Sequence, residues 1–476
     1  MAEQKWYLEL SEEGGGSHKF YEVVVTDGEM KVRYGRIGDK GQTQVKEYAT
    51  HEKAVAEAQK KLKSKMKKGY EEAVMGVRQK RAVTRRATES KKSKVKAFSP
   101  IIWKFATGTS TFGIFVDDTS VWAGTQEGRV FRLDHDGKVR NQFKLPDGVK
   151  CIVADDEWLY AGADDGKVYD LSTKVPTVAY EIAEDVDIYW IDINDGVLAI
   201  SDAAGNVAVV NHEDESQWSQ KSKGSRGWMV RCDEIGVYHG HQNGVTMFDW
   251  EDGSELWNQP TRGSVLFGWQ EESTVYAATA QNEVIQFTKK GEKGKTYKCD
   301  DTVYSCAAAE DGKFVFAGDN HSSVYCFDEN GERLWKLATQ CGSALSMQYY
   351  QDRLYIVTNE GTLAGIDVSE SAIESAMAGK APKAKEIKAP SAAQAAQVSD
   401  TVETVSDAGD GVIVECYKEG SKLRVRVISS GYQKKWNVQF PKNIREEGAR
   451  YVVDELRESS RGGFYRAAGE IRKLEG

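Results

Sequence analysis

One short apolar phrase recurs seven times between Ser120 and Asp367, and it constrains the fold more than any other feature. It reads Val121-Trp122-Ala123-Gly124, Leu159-Tyr160-Ala161-Gly162, Val197-Leu198-Ala199-Ile200 and Val237-Tyr238-His239-Gly240. It returns as Val275-Tyr276-Ala277-Ala278, Val315-Phe316-Ala317-Gly318 and Leu354-Tyr355-Ile356-Val357. The third residues of these phrases are 38, 38, 40, 38, 40 and 39 positions apart. Short β-branched and aromatic runs at a constant period near forty predict the blades of a β-propeller.

Each repeat holds four such runs. After the marker phrase come a polar turn and a second run, such as Arg129–Asp134, then a turn carrying Asp136-Gly137, Asp252-Gly253 or Asn330-Gly331. Glycine there supplies the positive φ of a tight hairpin. A third run often carries Trp (Trp218, Trp257, Trp335), and an apolar run such as Ser264–Gly268 precedes the marker. The seventh repeat lacks its Trp run. Its match, Ile101-Ile102-Trp103-Lys104-Phe105-Ala106-Thr107, lies ahead of the first repeat and resembles Arg333–Thr339. This predicts seven blades over residues 98–369, with Ile101–Thr107 completing the last blade and removing the ring's open edges. The strand–turn pattern resembles the pyrroloquinoline-quinone-like repeat family.

The net charge of −9 conceals a partition. Residues 1–96 carry +9, residues 409–476 carry +4, and the stretch between them carries −22. An acidic ring with basic ends directs any polyanion to the ends. No run of eighteen apolar residues suggests a membrane span, and no secretory apolar stretch follows Met1. Seven cysteines, an odd number without a CxxC pair, read as reduced core thiols. The expectation is a cytoplasmic protein with no membrane contact.

Residues 5–48 alternate as strands, with turns at Gly14-Gly15-Gly16, Asp27-Gly28 and Gly41-Gln42. Thr50 is placed to cap a following helix with Glu52 in its first turn. Ala54, Ala58, Leu62 and Met66 form that helix's expected buried stripe. At Tyr34-Gly35-Arg36-Ile37-Gly38, followed by Gly41-Gln42 and the helix, the chain resembles a WGR domain over about residues 5–75. That family is best known from DNA-dependent poly(ADP-ribose) polymerases. Tyr34 stands where the family's name-giving Trp does, and nothing here resembles the polymerase catalytic domain. The resemblance implies that Tyr34 packs on a sugar at a broken DNA end and that Arg36 helps position it. The same residues also read as a packed sheet aromatic and a solvated charge.

From Lys60 to Lys96 there are 15 Lys and Arg against 3 Asp and Glu. That density suits exchange of counterions with a phosphate backbone, without sequence readout. It also suits a solvated linker. The predicted nucleic-acid-binding residues are Tyr34, Gly35, Arg36, Lys40, Gln42, Lys67, Lys68, Arg85, Arg86, Lys91, Lys92 and Lys94.

No catalytic centre emerges from the propeller. Gly294-Lys295-Thr296 lacks the upstream Gly of a phosphate loop, which is Lys289 here. Asp134–Gly137 and Asp328–Gly331 lack the other ligands of a calcium loop. His239 and His241 share a strand face without a third ligand at recognisable spacing. No metal, no cofactor and no enzymatic activity are expected. A quinoprotein would need a far larger ligand set.

Residues 370–408, rich in Ala, Ser and Lys, read as a flexible linker, and residues 77–97 as a basic one. Residues 409–476 read as a small α+β domain, with a helix over Glu446–Ser460 facing the core through Ala449, Val452, Val453 and Leu456. Its Trp436, Phe440, Phe464 and Tyr465, with Arg445, Arg450 and Arg466, read as core and solvated surface or as a docking face. The fold expected is mainly β: a WGR-like α+β domain (1–76), a seven-bladed propeller (98–369) and the α+β module. The function expected is non-enzymatic binding, with possible DNA on residues 1–96 and a protein partner on the propeller or C-terminal module. The alternative is a protein-interaction scaffold that binds no nucleic acid.

Overall fold

The structure, a computed structural model, describes residues 4–10, 19–36, 41–73, 83, 85, 86, 88–182, 187–203 and 205–475. The chain forms two compact units that divide between Arg85 and Arg86.

The first unit is an antiparallel sheet with one helix. Its strands run Gln42–Glu47, Glu29–Arg36, Lys19–Thr26, Gln4–Leu10 and Glu71–Glu72 across the sheet. Period-two alternation turns Tyr21, Val23, Val25, Met30 and Val32 to one face, where they meet Ala54, Ala58 and Leu62 of helix α1, His51–Met66. Thr50 caps α1 by accepting the Lys53 backbone N–H at 3.3 Å. Met66, expected in the buried stripe, is 40% exposed. Each four-residue step overshoots a helical turn by about 40°, so after three steps the stripe has swung about 120° off the core.

The second unit is built on seven sheets. Blades 1 to 6 each take four consecutive strands over residues 111–144, 149–181, 188–221, 229–260, 265–298 and 303–338. Blade 7 takes three strands from residues 344–367 and its fourth from Ile101–Ala106, antiparallel to Thr362–Asp367. The closure read from the repeated Trp phrase is therefore present.

Three of the seven seams share a contact between that Trp and the next blade's turn. The indole N–H of Trp103 reaches the His135 carbonyl at 2.9 Å, that of Trp218 the Trp250 carbonyl at 3.0 Å, and that of Trp257 the Lys289 carbonyl at 3.0 Å. Each ring lies over a turn glycine in the left-handed region: Gly137 (φ +80°), Gly253 (+71°) and Gly291 (+88°). A Cβ there would come within 2.9, 2.5 and 2.6 Å of the respective indole. The glycine is required twice over, by backbone conformation and by the ring above it.

Two sequence expectations change. Residues 370–408 do not read in the structure as a loose tether. After helix α2 (Glu370–Met377), Lys385–Lys388 pairs in parallel with Ile101–Ala106, and Ala396–Gln397 pairs with Val139–Lys144. Between them, the Pro390 carbonyl accepts from Arg129 and the Ser391 carbonyl from Gln142, both at 2.8 Å. Composition misled because edge pairing draws on backbone groups, which every sequence carries. The C-terminal module, in turn, contains no helix among its described residues. Arg450–Glu458 is a strand, and five strands close into a small barrel in which Phe464–Leu474 pairs with both Arg450–Glu458 and Asn437–Gln439. A bulge between Val453 and Glu455 breaks the alternation, so Val452, Val453 and Leu456 imitate helical spacing.

Trp103 carries the seam where the ring closes and is 1% exposed. Trp103→Ala is expected to cost about 3–5 kcal/mol, as truncation of a fully buried Trp does. Thermal denaturation followed by circular dichroism checks it, and a loss under about 1 kcal/mol would contradict the seam's role.

Candidate nucleic-acid interface and the faces of the propeller

In the first unit, Tyr34 sits near the end of Glu29–Arg36, paired with Tyr21 on one side and Gln42 on the other. Its ring is half-buried against the α1 face, 6.2 Å from Tyr21 and tilted 30° to it, and its hydroxyl accepts from Gln44 Nε2 at 3.1 Å. Part of the flat face is thus already used in packing. Gly35 and Gly41 pack closely: a Cβ on Gly35 would lie 2.8 Å from the Gly41 Cα, so the backbone here admits no side chain. Lys40 and the Arg36 side chain lie outside the described residues.

The charge the sequence pointed to is carried by α1. Lys53, Lys60 and Lys63 are exposed opposite the Ala54–Ala58–Leu62 stripe, Lys67 and Lys68 are exposed just past the helix end, and none forms an ion pair among the described residues. Lys53, Lys60 and Lys63 were not among the predicted contacts. Their signal was present: Lys60, Lys63 and Lys67 are three and four apart, which stacks them on one helix face. Lys65 differs, lying 4.6 Å over the Tyr21 ring and 5.1 Å over Tyr70, where burial lowers its pKa. The neighbouring edge strand, Gln42–Glu47, is exposed at every residue and adds Lys46.

The basic run Lys60–Lys96 does not stay in one place. Arg85 closes the first unit, half-buried and already partnered. Arg86, predicted to meet phosphate, is buried in the second unit. Its Nη1 donates to the Leu266 carbonyl and, at 2.9 Å, to that of Tyr304; its Nη2 donates to that of Leu345 at 3.0 Å. A guanidinium so enclosed cannot reach a phosphate, and Arg86 leaves the set of nucleic-acid contacts. Lys91, Lys92 and Lys94 are exposed, on a segment tied to blade 6 by Lys91 N–H to the Asn320 carbonyl at 2.8 Å and Ser93 to Ser323 at 2.8 Å. The linker expected over 77–97 is thus, from Arg86 onward, part of the propeller's surface.

The propeller's axis is filled by side chains. Trp190 of blade 3 meets Phe267 of blade 5 edge-on at 5.5 Å, and Arg231 donates twice to the Gly268 carbonyl at 2.9 and 3.0 Å. Asp192 accepts the Cys232 N–H at 2.9 Å, and burial pushes its carboxyl up to about 6. His239 and His241 are also spent in packing. His239 bonds Ser222 and the Met229 carbonyl, and His241 bonds Thr246. All seven cysteines are buried and unpaired. Among the described residues no group of three or more His, Cys, Asp or Glu is placed to hold a metal ion. No helix among them is long and apolar enough to cross a membrane.

Of the C-terminal residues read as core, surface or docking face, Arg466, Arg445 and Phe464 meet the propeller, while Arg450 pairs with Glu415 inside the module at 3.4 Å. Arg466, 4% exposed, pairs with Asp155 at 2.8 Å, bonds the Tyr160 hydroxyl at 3.2 Å and lies 3.8 Å over Trp158. Arg445 pairs with Glu213 at 2.8 Å, and Phe464 stacks on His212 at 3.9 Å with the rings 6° from parallel. Tyr465 instead belongs to the barrel core with Phe440, and Trp436 packs 5.1 Å from it. A cleft of about 260 Å³ remains between blade 2 and the barrel, lined by Trp158, Asp170, Thr177, Phe440 and Ile471.

Comparison with known proteins agrees with this division. Residues 4–77 match the WGR domain family, and residues 241–445 match a family described as outer membrane protein assembly factor BamB. The first unit is a WGR domain and the second carries a propeller of the quinone-like repeat type. Among curated proteins, the uncharacterized protein YfeS of Escherichia coli (strain K12) is 39% identical over 56 residues, 12% of this chain and 23% of that protein. The chain therefore spans under a quarter of that relative's length. Among solved structures, the WD40 β-propeller domain of Doa1 aligns with a TM-score of 0.49 at 12% identity, covering 57% of this chain and 98% of that one. The computationally designed Ika8 protein aligns at 0.46 and 11%, covering 55% and 98%.

His212 gives the docked barrel a pH dependence. Burial, opposed by Glu213 and reinforced by Lys442, Arg445 and Arg424, pushes the imidazole down to about 4. The unfolded chain then binds the extra proton from an ordinary value of about 6.5 downward, so this stability is present above that pH and is lost as pH falls toward 4. His212→Phe keeps the stack on Phe464 without the proton. Its melting temperature is expected to fall less than that of the wild type between pH 7 and pH 4, and parallel curves would contradict this.

Proposed function

We propose that this is a non-enzymatic binding protein whose WGR domain engages nucleic acid while the propeller engages protein. The observation that carries the reading is the unpaired lysine face of α1, five exposed ammonium groups on a domain of a family associated with DNA. Such a face releases counterions from a phosphate backbone and is indifferent to sequence. Tyr34, at the sheet end, offers the remainder of its ring to a sugar or base exposed at a strand end. The barrel packs on blades 2 and 3, and a strap formed by residues 385–397 pairs with blades 7 and 1, which leaves the exposed outer strands of blades 4 and 5, Glu255–Pro260 and Lys293–Lys298, for protein contact. A reducing, cytoplasmic setting suits seven unpaired thiols.

A second reading, a scaffold that touches no nucleic acid, is favoured by the partial packing of Tyr34 and the burial of Arg86. Binding of intact, nicked and blunt-ended duplexes at two salt concentrations separates the two. Replacing Lys60, Lys63, Lys67 and Lys68 by Gln is expected to weaken all three duplexes alike. It should flatten the salt slope by about 0.9 for each lysine that meets a phosphate. Tyr34→Ala is expected to cost about 1–3 kcal/mol at ends and little on intact duplex. A chain that binds no duplex at low salt leaves the scaffold.

A further inference from the structure

The innermost strands of the blades share an irregularity that the repeat phrase did not announce. In six of the seven, pairing with the next strand skips the second residue: Phe112, Lys150, Tyr189, Leu266, Tyr304 and Leu345. A skipped residue leaves its carbonyl outside the ladder. The same positions, with Trp228 in blade 4, ring one mouth of the propeller, where Tyr189 stacks on Trp228 at 4.1 Å. At blades 5, 6 and 7 the three released carbonyls converge on the Arg86 guanidinium, and the Tyr304 ring lies 5.5 Å from it.

The chain that delivers Arg86 is held as a bound peptide would be. The Thr88 carbonyl accepts from Asn359 Nδ2 at 3.2 Å and the Glu89 carbonyl from the Tyr304 hydroxyl at 2.8 Å. Ser90 shares hydrogen bonds with Ser322 at 3.0 Å and Ser343 at 2.8 Å, and the Lys91 carbonyl accepts from Ser322 at 2.9 Å. These contacts are polar, shallow and mostly to backbone, apart from the one arginine that is sunk in the mouth. That arginine has no carboxylate partner, its Nε is buried without a hydrogen bond, and burial pushes its pKa down to about 10. A plug needed only to fill space would be apolar, as Leu266 and Leu345 are. Three carbonyls in a fan, with an aromatic ring beside them, instead match a planar fork of N–H donors.

We propose that the propeller mouth at blades 5 to 7 is an arginine-reading peptide site, and that Arg86 and residues 88–93 occupy it in cis against a partner protein. That partner presents an arginine on an extended segment, followed by small hydroxyl residues that take the place of Ser90 and Ser93. The proposal rests on the protein-binding half of the reading above and names the chemistry of its partner. Occupation in cis acts as a high local concentration, of millimolar order for a short tether, so a partner displaces the segment only when it binds tightly or when the segment is drawn away.

The test titrates full-length protein with a synthetic peptide of residues 85–95, followed by calorimetry. The R86A chain is expected to bind this peptide at least tenfold more tightly than the wild type does. The same peptide carrying Arg86→Lys has equal charge and lacks the fork, and is expected to bind R86A at least tenfold more weakly. Equal binding of the two peptides shows mere attraction to an acidic ring and overturns the proposal, as does equal binding to both chains or to neither. Should R86A fail to fold, R86K takes its place: the arginine peptide is expected to raise its melting temperature, and no rise overturns the site. Failure here condemns the mouth alone, since duplex binding and capture of a protein on another rim are measured separately.

Discussion

The indole-over-glycine contact between blades is the interaction the propeller depends on. Each blade buries both faces against its neighbours, so the ring is stable only if every seam, including the one joining the chain's two ends, closes at the same angle. At three of the seven seams, the closing one among them, a Trp on the outer strand fixes that angle through a hydrogen bond to a carbonyl and a flat contact that only glycine permits. At the closing seam this contact is reinforced. Ile387 of the strap comes within 2.5 Å of where a Cβ on Gly137 would stand, so ring, glycine and strap residue form one packed unit. The seam most exposed to opening by chain fraying is thus the one packed from three directions.

Much of this was legible in the sequence because it is periodic. The marker phrase, the turn glycines and the outer Trp recur at one spacing, and a repeat displays its own errors: the missing seventh Trp run located Ile101–Thr107. What was not legible breaks period or uses backbone. The bulge at Val453 made a strand look helical. The pairing of Lys385–Lys388 left no compositional trace, because any residue can donate and accept along an edge. In the WGR domain, the motif named Tyr34, Gly35 and Gln42, and the density of the basic run named Lys67 and Lys68 but not the lysines upstream of them on α1. Those emerge when Lys53, Lys60 and Lys63 are placed on the helix opposite Ala54, Ala58 and Leu62. Arg86 was misread for a related reason. Counted within a run of fifteen cations it looks like every other, and only the convergence of three carbonyls sets it apart.

The charge partition has a meaning different from the one its totals suggested. An acidic ring between basic ends invited the idea that the ends seek an external polyanion. For the C-terminal end, the structure answers internally: Arg466 with Asp155, Arg445 and Lys442 with Glu213, and Arg424 and Lys422 with Glu215 join barrel to blades 2 and 3. Several of these pairs are sunk beneath aromatic contacts, where like-charge mismatches would be costly, so they fix where the barrel sits more than how tightly it holds. Arg86 enters the acidic ring without a carboxylate at all. The α1 face of the WGR domain is, by contrast, a basic surface with no ion pair among the described residues.

That contrast orders the molecule's functions. A cation neutralised at a buried interface is unavailable to a ligand, whereas a row of solvated ammonium groups costs nothing to present and responds to any phosphate within a Debye length, about 8–10 Å at physiological salt. The docked barrel and the strap therefore belong to architecture: the strap pairs with the outer strands of blades 7 and 1 and removes those edges from solvent, and the barrel packs on blades 2 and 3. The segment from Arg86 stands between the two regimes, polar and superficial along its length but anchored by one enclosed guanidinium. Arg85 and Arg86 fall on opposite sides of the boundary between the units. The segment's anchor is held by hydrogen bonds to three carbonyls and by no salt bridge among the described residues.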